Sequence, residues 1–143
     1  MIPIEVNMSA VLVAAVAHMF IGFVWYSPAF FGKVWISLMG FNVETPEGKV
    51  AWEERQKSMS KTWILTVLGA LIMAYALAYF MGMFFVETVM DALQIGFIAW
   101  LGFIATTSFI NTLFTGKSKK LWAIDTCYPL VSMLVMSVII ALW

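Results

Sequence analysis

The sequence predicts an all-α membrane protein: a four-transmembrane-helix bundle with a short interfacial amphipathic helix and a cytoplasmic helical extension between spans one and two. Three observations predict it. Of 143 residues, 63% are hydrophobic and only 11% charged, which is more apolar surface than a soluble domain of this size can hide. Four apolar stretches reach the ~20 helical residues that a bilayer core of about 30 Å requires, since lipid offers backbone N–H and C=O groups no partner. All eight basic residues fall in two of the connections between these stretches. The whole chain, 1–143, reads as one membrane domain.

Before the first stretch, MIPIEVN carries Glu5 and no basic residue. It lacks the positive flank of a cleavable signal peptide and is expected to remain in the mature protein. The first span, about 8–26, holds a row of Ala10, Ala14, His18 and Gly22. Pro28 stops it. In 28–41, Phe30, Phe31, Val34, Trp35, Leu38 and Phe41 recur at helical spacing while Lys33, Ser37 and Gly40 fall elsewhere, the pattern of a helix lying in the membrane interface. Thr45-Pro46-Glu47 then supplies a cap, a first-turn proline and an early acid for a polar helix over about 46–61. Trp52, Met59 and Trp63 continue one face, so this helix is expected to run unbroken into the second span, about 63–85. That span carries a second row of small residues, Ala70, Ala74, Ala78 and Gly82. The third and fourth spans cover about 90–114 and 121–142. None of the four contains Lys, Arg or Glu; Asp91 lies at an end, and Asp125 is the one carboxylate inside a span.

Lys33, Lys49, Arg55, Lys57 and Lys61 lie between spans one and two, and Lys117, Lys119 and Lys120 between three and four. The positive-inside rule therefore predicts cytoplasmic basic loops and both termini on the non-cytoplasmic side of a plasma or inner membrane. Trp25, Tyr26, Trp63 and Trp122 fit the cytoplasmic interface and Trp143 the other. The rows of small residues let helices approach closely. Packing within the chain and packing between copies explain them equally, and exposed bundle surface favours a homo-oligomer or larger membrane complex. Phe30-Phe31-Gly32-Lys33 after span one and Phe114-Thr115-Gly116-Lys117 after span three form a short echo, as a parallel repeat of helix pairs would.

Asp125 is the main candidate for chemistry, because ionisable groups inside spans are functional suspects. A structural reading stands beside it: a carboxylate in the first turns of a helix suits the macrodipole and can be tethered by the nearby lysines. Tyr128 and Ser132 share its face, and Asn111 and Tyr26 lie at similar depth, so Tyr26, Asn111, Asp125 and Tyr128 can form a polar cluster near the basic end. Such a cluster serves either to fix the bundle or to handle ions. His18, near the middle of span one, reads as a neutral imidazole bonded across helices; a proton relay there needs a second titratable group at its depth, and none is evident. Cys127 reads as a small packing residue, and Met133 and Met136 as core or lipid-facing filler. One His and one Cys make a His/Cys metal site implausible, and no cofactor, phosphate loop or catalytic set is spaced for use. The balanced charge, eight basic against eight acidic residues, gives no field for nucleic acid.

Trp25-Tyr26-Ser27-Pro28, followed by Phe31-Gly32-Lys33, Trp35 and Gly40, resembles the opening of the membrane family called domain of unknown function 1761 (DUF1761). Asn111 with Phe114, and Ile124-Asp125 with Tyr128, resemble its second half. The resemblance implies a four-span membrane protein and no particular activity. Trp25, Phe31, Lys33 and Trp35 of this block also read as interfacial anchors. The sequence thus points to a non-enzymatic structural or accessory component of the bilayer. The alternative is a small oligomeric transporter or channel using Asp125, similar in span number to the small multidrug exporters but without their glutamate in the first helix.

Overall fold

Asn7 opens the first helix: its side-chain oxygen accepts from the backbone N–H of Ser9 (2.9 Å) and Ala10 (3.3 Å), two donors a helix start leaves unpaired. Helix α1 then runs Met8–Trp25. The structure is a computed structural model that describes residues 4–143; Met1–Pro3 of the N-terminal segment lie outside the described residues.

The expected interfacial helix is shorter than its apolar periodicity. Residues 28–31 form turns, and α2 covers only Gly32–Leu38. The chain folds tightly here, with Phe31 N–H on the carbonyl of Trp25 (3.1 Å) and Gly32 N–H on that of Ser27 (2.9 Å). A Cβ at position 32 would collide with the carbonyl oxygens of Tyr26 and Ser27, so this reversal requires glycine.

Helix α3, Pro46–Lys57, starts as expected, with Thr45 Oγ1 accepting from Gly48 N–H (3.2 Å). It does not run on into the second span. The Ser58 hydroxyl donates to the carbonyl of Arg55 (2.7 Å) and Met59 N–H to that of Gln56 (3.0 Å), a tight turn before α4, Ser60–Met83. Local side-chain bonding of this kind competes with a continuous helix. Trp52 brings α3 back onto its neighbours, edge-on to Phe41 (5.3 Å) and Trp35 (6.1 Å).

Helix α4 ends with Phe85 in the left-handed region (φ +52°), while Val86 N–H bonds back to Met81. Thr88 caps the next helix reciprocally: its hydroxyl accepts from Asp91 N–H and donates to the Asp91 carboxylate. The third span, Val89–Thr115, is one rod made of α5 (Val89–Ala99), a π-helical turn (Trp100–Ala105) and α6 (Thr106–Thr115). Gly116 closes it in the left-handed conformation (φ +65°). The Gly-Lys echo thus marks different devices: Gly32 permits a close approach, whereas Gly116 terminates a helix. Helix α7 covers Lys119–Ala141.

Four helices, Met8–Trp25, Lys61–Met83, Val89–Thr115 and Lys119–Ala141, are long and apolar enough to cross a membrane. Helices α1 and α7 are central: α1 packs on α7 and α4, and α5 packs on α7. Ala10, Ala14 and Ala15 of α1 and Ala70, Ala74 and Ala78 of α4 are all buried, Ala14 and Ala74 completely. The alanines of both rows are therefore buried inside one chain, while His18 and Gly22 of the first row meet Tyr128 of α7. Val11, Leu77, Met81, Ala92, Met133 and Met136 complete a core with them. Cys127, expected in the packing, lies exposed; on the same helix Thr126 takes the buried position.

Candidate functional site

The site grows from two local departures from regular helix. Pro129 sits inside α7 and has no N–H, so the carbonyl of Asp125 loses its helical partner. Across from this turn lies the π-helical stretch of the third span, an irregularity common at functional sites. Around them, tryptophans from other elements bond to α7. Trp25 Nε1–H donates to the carbonyl of Ile124 (3.1 Å), Trp100 Nε1–H to that of Thr126 (2.8 Å), and Trp35 Nε1–H to Asp125 Oδ1 (2.8 Å). Trp122, on α7 itself, donates to Ser108 Oγ (2.8 Å), which in turn meets Thr126 Oγ1 (2.9 Å). One turn of α7 is thereby fastened to α1, α2 and the third span.

Asp125 Oδ1 also accepts from the Tyr26 hydroxyl (3.0 Å). The expected lysine tether is replaced by these two neutral donors, because the α1–α2 reversal brings Tyr26 and Trp35 over the carboxylate. The Tyr26 ring packs edge-on against Trp35 (5.2 Å) and Tyr128 (5.5 Å).

Tyr128 leads to the second half of the site. Its hydroxyl lies 2.8 Å from His18 Nε2 and 3.2 Å from the His18 carbonyl, while His18 Nδ1 lies 2.5 Å from Ser132 Oγ. One assignment satisfies all three contacts: Ser132 donates to Nδ1, Nε2–H donates to the tyrosine oxygen, and Tyr128 donates to the carbonyl. His18 thus bonds across helices to α7, and Tyr128 is the second titratable group at its depth that the sequence did not reveal. Gly22 makes room, since a Cβ there would stand 2.8 Å from the Tyr128 oxygen.

Beside this network is a cavity of about 610 Å³ between α1 and α4, bounded by α2, α3 and Tyr128. Tyr26, Trp35, Trp52, Trp63 and Tyr128 supply its aromatic wall; Gln56, Thr62 and Thr66 supply polar groups. Its size lies within the range of small-molecule sites.

Of the sequence candidates, Tyr26, Asp125 and Tyr128 come together, and His18 joins them. Asn111 does not. It lies exposed on α6, because Ser108 and Thr112 take the positions facing α7. Trp25 and Trp35, read as interfacial anchors, direct their indole donors into the protein, and Trp25 stacks near Phe31 (4.8 Å). Lys33 is exposed. The sequence reading overlooked Trp100, Trp52, Ser108, Gly22 as a spacer and Pro129. Two signals were there to find: a tryptophan in the middle of a span, whose N–H needs a partner away from either interface, and a proline in the middle of another.

No curated protein and no solved structure matches this chain. A family model does: that of a protein of unknown function, DUF1761, over residues 9–141. With the Trp25–Pro28 block at the centre of its site and four helices able to span a bilayer, the chain is a multi-pass membrane protein that belongs to the DUF1761 family.

Proposed function

We propose that this protein is a non-enzymatic accessory component of a cell membrane that holds a small amphiphile in the cavity at its basic end. The observation that supports this is the cavity itself: about 610 Å³, largely apolar, aromatic-walled and placed where α2 and α3 leave the span region. Beyond Tyr128 and Ser132 the α1–α4–α7 contact is closed by alanine, leucine and methionine, which supports binding from one side. Charge asymmetry supports basic loops in the cytoplasm and termini on the opposite side. A homo-oligomer or larger complex fits the third span, the least buried of the four, where Asn111 is exposed.

The test is occupancy. Purified protein in lipid nanodiscs is titrated with cationic, neutral and anionic amphiphiles, following tryptophan fluorescence and equilibrium dialysis. Thr66→Trp, which fills the hollow, is expected to abolish binding. Failure of every amphiphile to bind wild type better than Thr66→Trp overturns the reading. For orientation, cysteines at Glu47 and Glu87 in a Cys127→Ser background are labelled from each side; cytoplasmic reactivity at position 87 reverses it.

A second reading, transport, is favoured by the polar line from Asp125 through Tyr26, Tyr128 and His18 to Ser132. It requires cation or proton flux in liposomes that Asp125→Asn removes. A folded, reconstituted protein without flux eliminates it.

A further inference from the structure

We infer that the cavity takes an organic cation, a quaternary ammonium group carried on an apolar body. This rests on the proposal that the cavity binds an amphiphile, and adds the charge and chemical class of the occupant.

The cavity wall contains no charged side chain. Two of its members, Tyr26 and Trp35, spend their hydroxyl and indole donors on Asp125 Oδ1. What they can offer an occupant is therefore aromatic surface, negatively polarised on its face and positively at its edge. At the donor edge of both rings stands the Asp125 carboxylate, itself exposed, whose two hydrogen bonds come from neutral donors and bring it no counter-charge. Trp52, Trp63 and Tyr128 add further rings, and Trp52 meets Trp35 edge-on at 6.1 Å. Aromatic walls beside negative charge attract cations.

Hydrogen-bonding capacity narrows the class. A primary ammonium carries three donors that need acceptors when buried. Here the three tryptophans of the wall carry no acceptor, and its side-chain oxygens are divided among Ser27, Gln56, Thr62 and Thr66 on three separate segments, with the phenols of Tyr26 and Tyr128 already bonded to Asp125 and His18. A quaternary ammonium has no donors to satisfy and can shed water against ring carbon. An anion would meet the field of Asp125 with no basic side chain in the wall. The remaining apolar lining, including Met19, Phe23, Ile36 and Met59, suits the uncharged body of the ligand.

The same headgroup chemistry reaches the site from two sources, a choline phospholipid of the bilayer or a free lipophilic cation. Full-length protein in nanodiscs of choline-free phosphatidylglycerol is titrated by equilibrium dialysis with phenyltrimethylammonium and with tert-butylbenzene, its neutral isostere; protein-free nanodiscs correct for partition. The cation is expected to bind more tightly by on the order of tenfold, the scale of a desolvated cation–π contact. Asp125→Asn, which retains an acceptor for Tyr26 and Trp35, should remove that preference. Trp52→Leu, whose side chain takes no part in the carboxylate bonds, should weaken the cation several-fold and leave the isostere unchanged; it serves if Asp125→Asn misfolds. Competition by added phosphatidylcholine supports the inference with lipid as the source, and its absence supports it with a free cation. Equal binding of cation and isostere, or a preference that survives both variants, overturns the cation assignment while the cavity remains an amphiphile site. No binding by either probe, alongside binding of an anionic amphiphile, likewise overturns it; no binding by any amphiphile overturns the proposed function itself.

Discussion

The two ends of this bundle are held together by different physics. At the end bearing the termini, the first half of α1, the second half of α4, the start of α5 and the last turns of α7 meet through Ala10, Ala14, Ala74, Leu77, Ala92 and Met136. Its hollow, bounded by Asn7, Met81 and Trp143 among others, is about 230 Å³, against about 610 Å³ at the basic end. At the basic end, α1, α2 and the third span are joined to one stretch of α7 by indole, phenol and imidazole groups. Small side chains bring backbones close enough for dispersion to hold them where lipid removes the hydrophobic drive. Large polar-tipped rings hold helices apart at fixed spacing and leave space between them. One end is built for contact and the other for enclosing something.

That contrast can be broken from either side. The largest effect is expected from Ala74→Leu on the fully buried face of α4, where overpacking should cost about 2–3 kcal/mol. Unfolding in mixed micelles measures it, and a near-neutral result would mean the terminal end is not close-packed. His18→Leu removes the partner of Ser132 and Tyr128 together and should cost about 1–2 kcal/mol. A double-mutant cycle with Ser132→Ala should return a coupling of roughly 0.6–1.7 kcal/mol, the range for hydrogen bonds between membrane helices. Trp100→Phe keeps the ring and loses one bond to Thr126; about 1 kcal/mol is expected, read as a lowered melting temperature. The smallest change has the opposite sign. Ser137 Oγ is buried without a partner beside Gly96, so Ser137→Ala should be neutral or stabilise by up to about 1 kcal/mol. A clear loss there would show that the hydroxyl has a partner in the membrane.

Much of the site's membership was legible, and its geometry was not. Tyr26, Asp125 and Tyr128 could be grouped because helix orientation and position along each span give depth. Depth does not give azimuth: Asn111 matched in depth and faces away, while Ser108, one turn earlier, faces α7. Azimuth is hard to read here because lipid and protein interior are both apolar, so hydrophobic periodicity no longer separates the buried face. Only small and polar residues mark it, which is why the alanine rows were found and their partner was not. The lysine tether failed for a related reason. Lys117, Lys119 and Lys120 are near Asp125 along the chain, but the reversal at Gly32 delivers Tyr26 and Trp35 to it through space.

By itself the sequence determined that four apolar helices form, because span length and the absence of internal charge leave the backbone no other way to satisfy its hydrogen bonds in lipid. Three helix starts are likewise local, set by the side chains of Asn7, Thr45 and Thr88 acting within a few residues. Tertiary structure alone decided which faces meet, that the alanine rows serve one chain's own packing, and that an aspartate, a histidine and four tryptophans converge near one proline. Those outcomes depend on contacts between different helices, with partners up to 114 positions apart, and no local pattern encodes such a pairing.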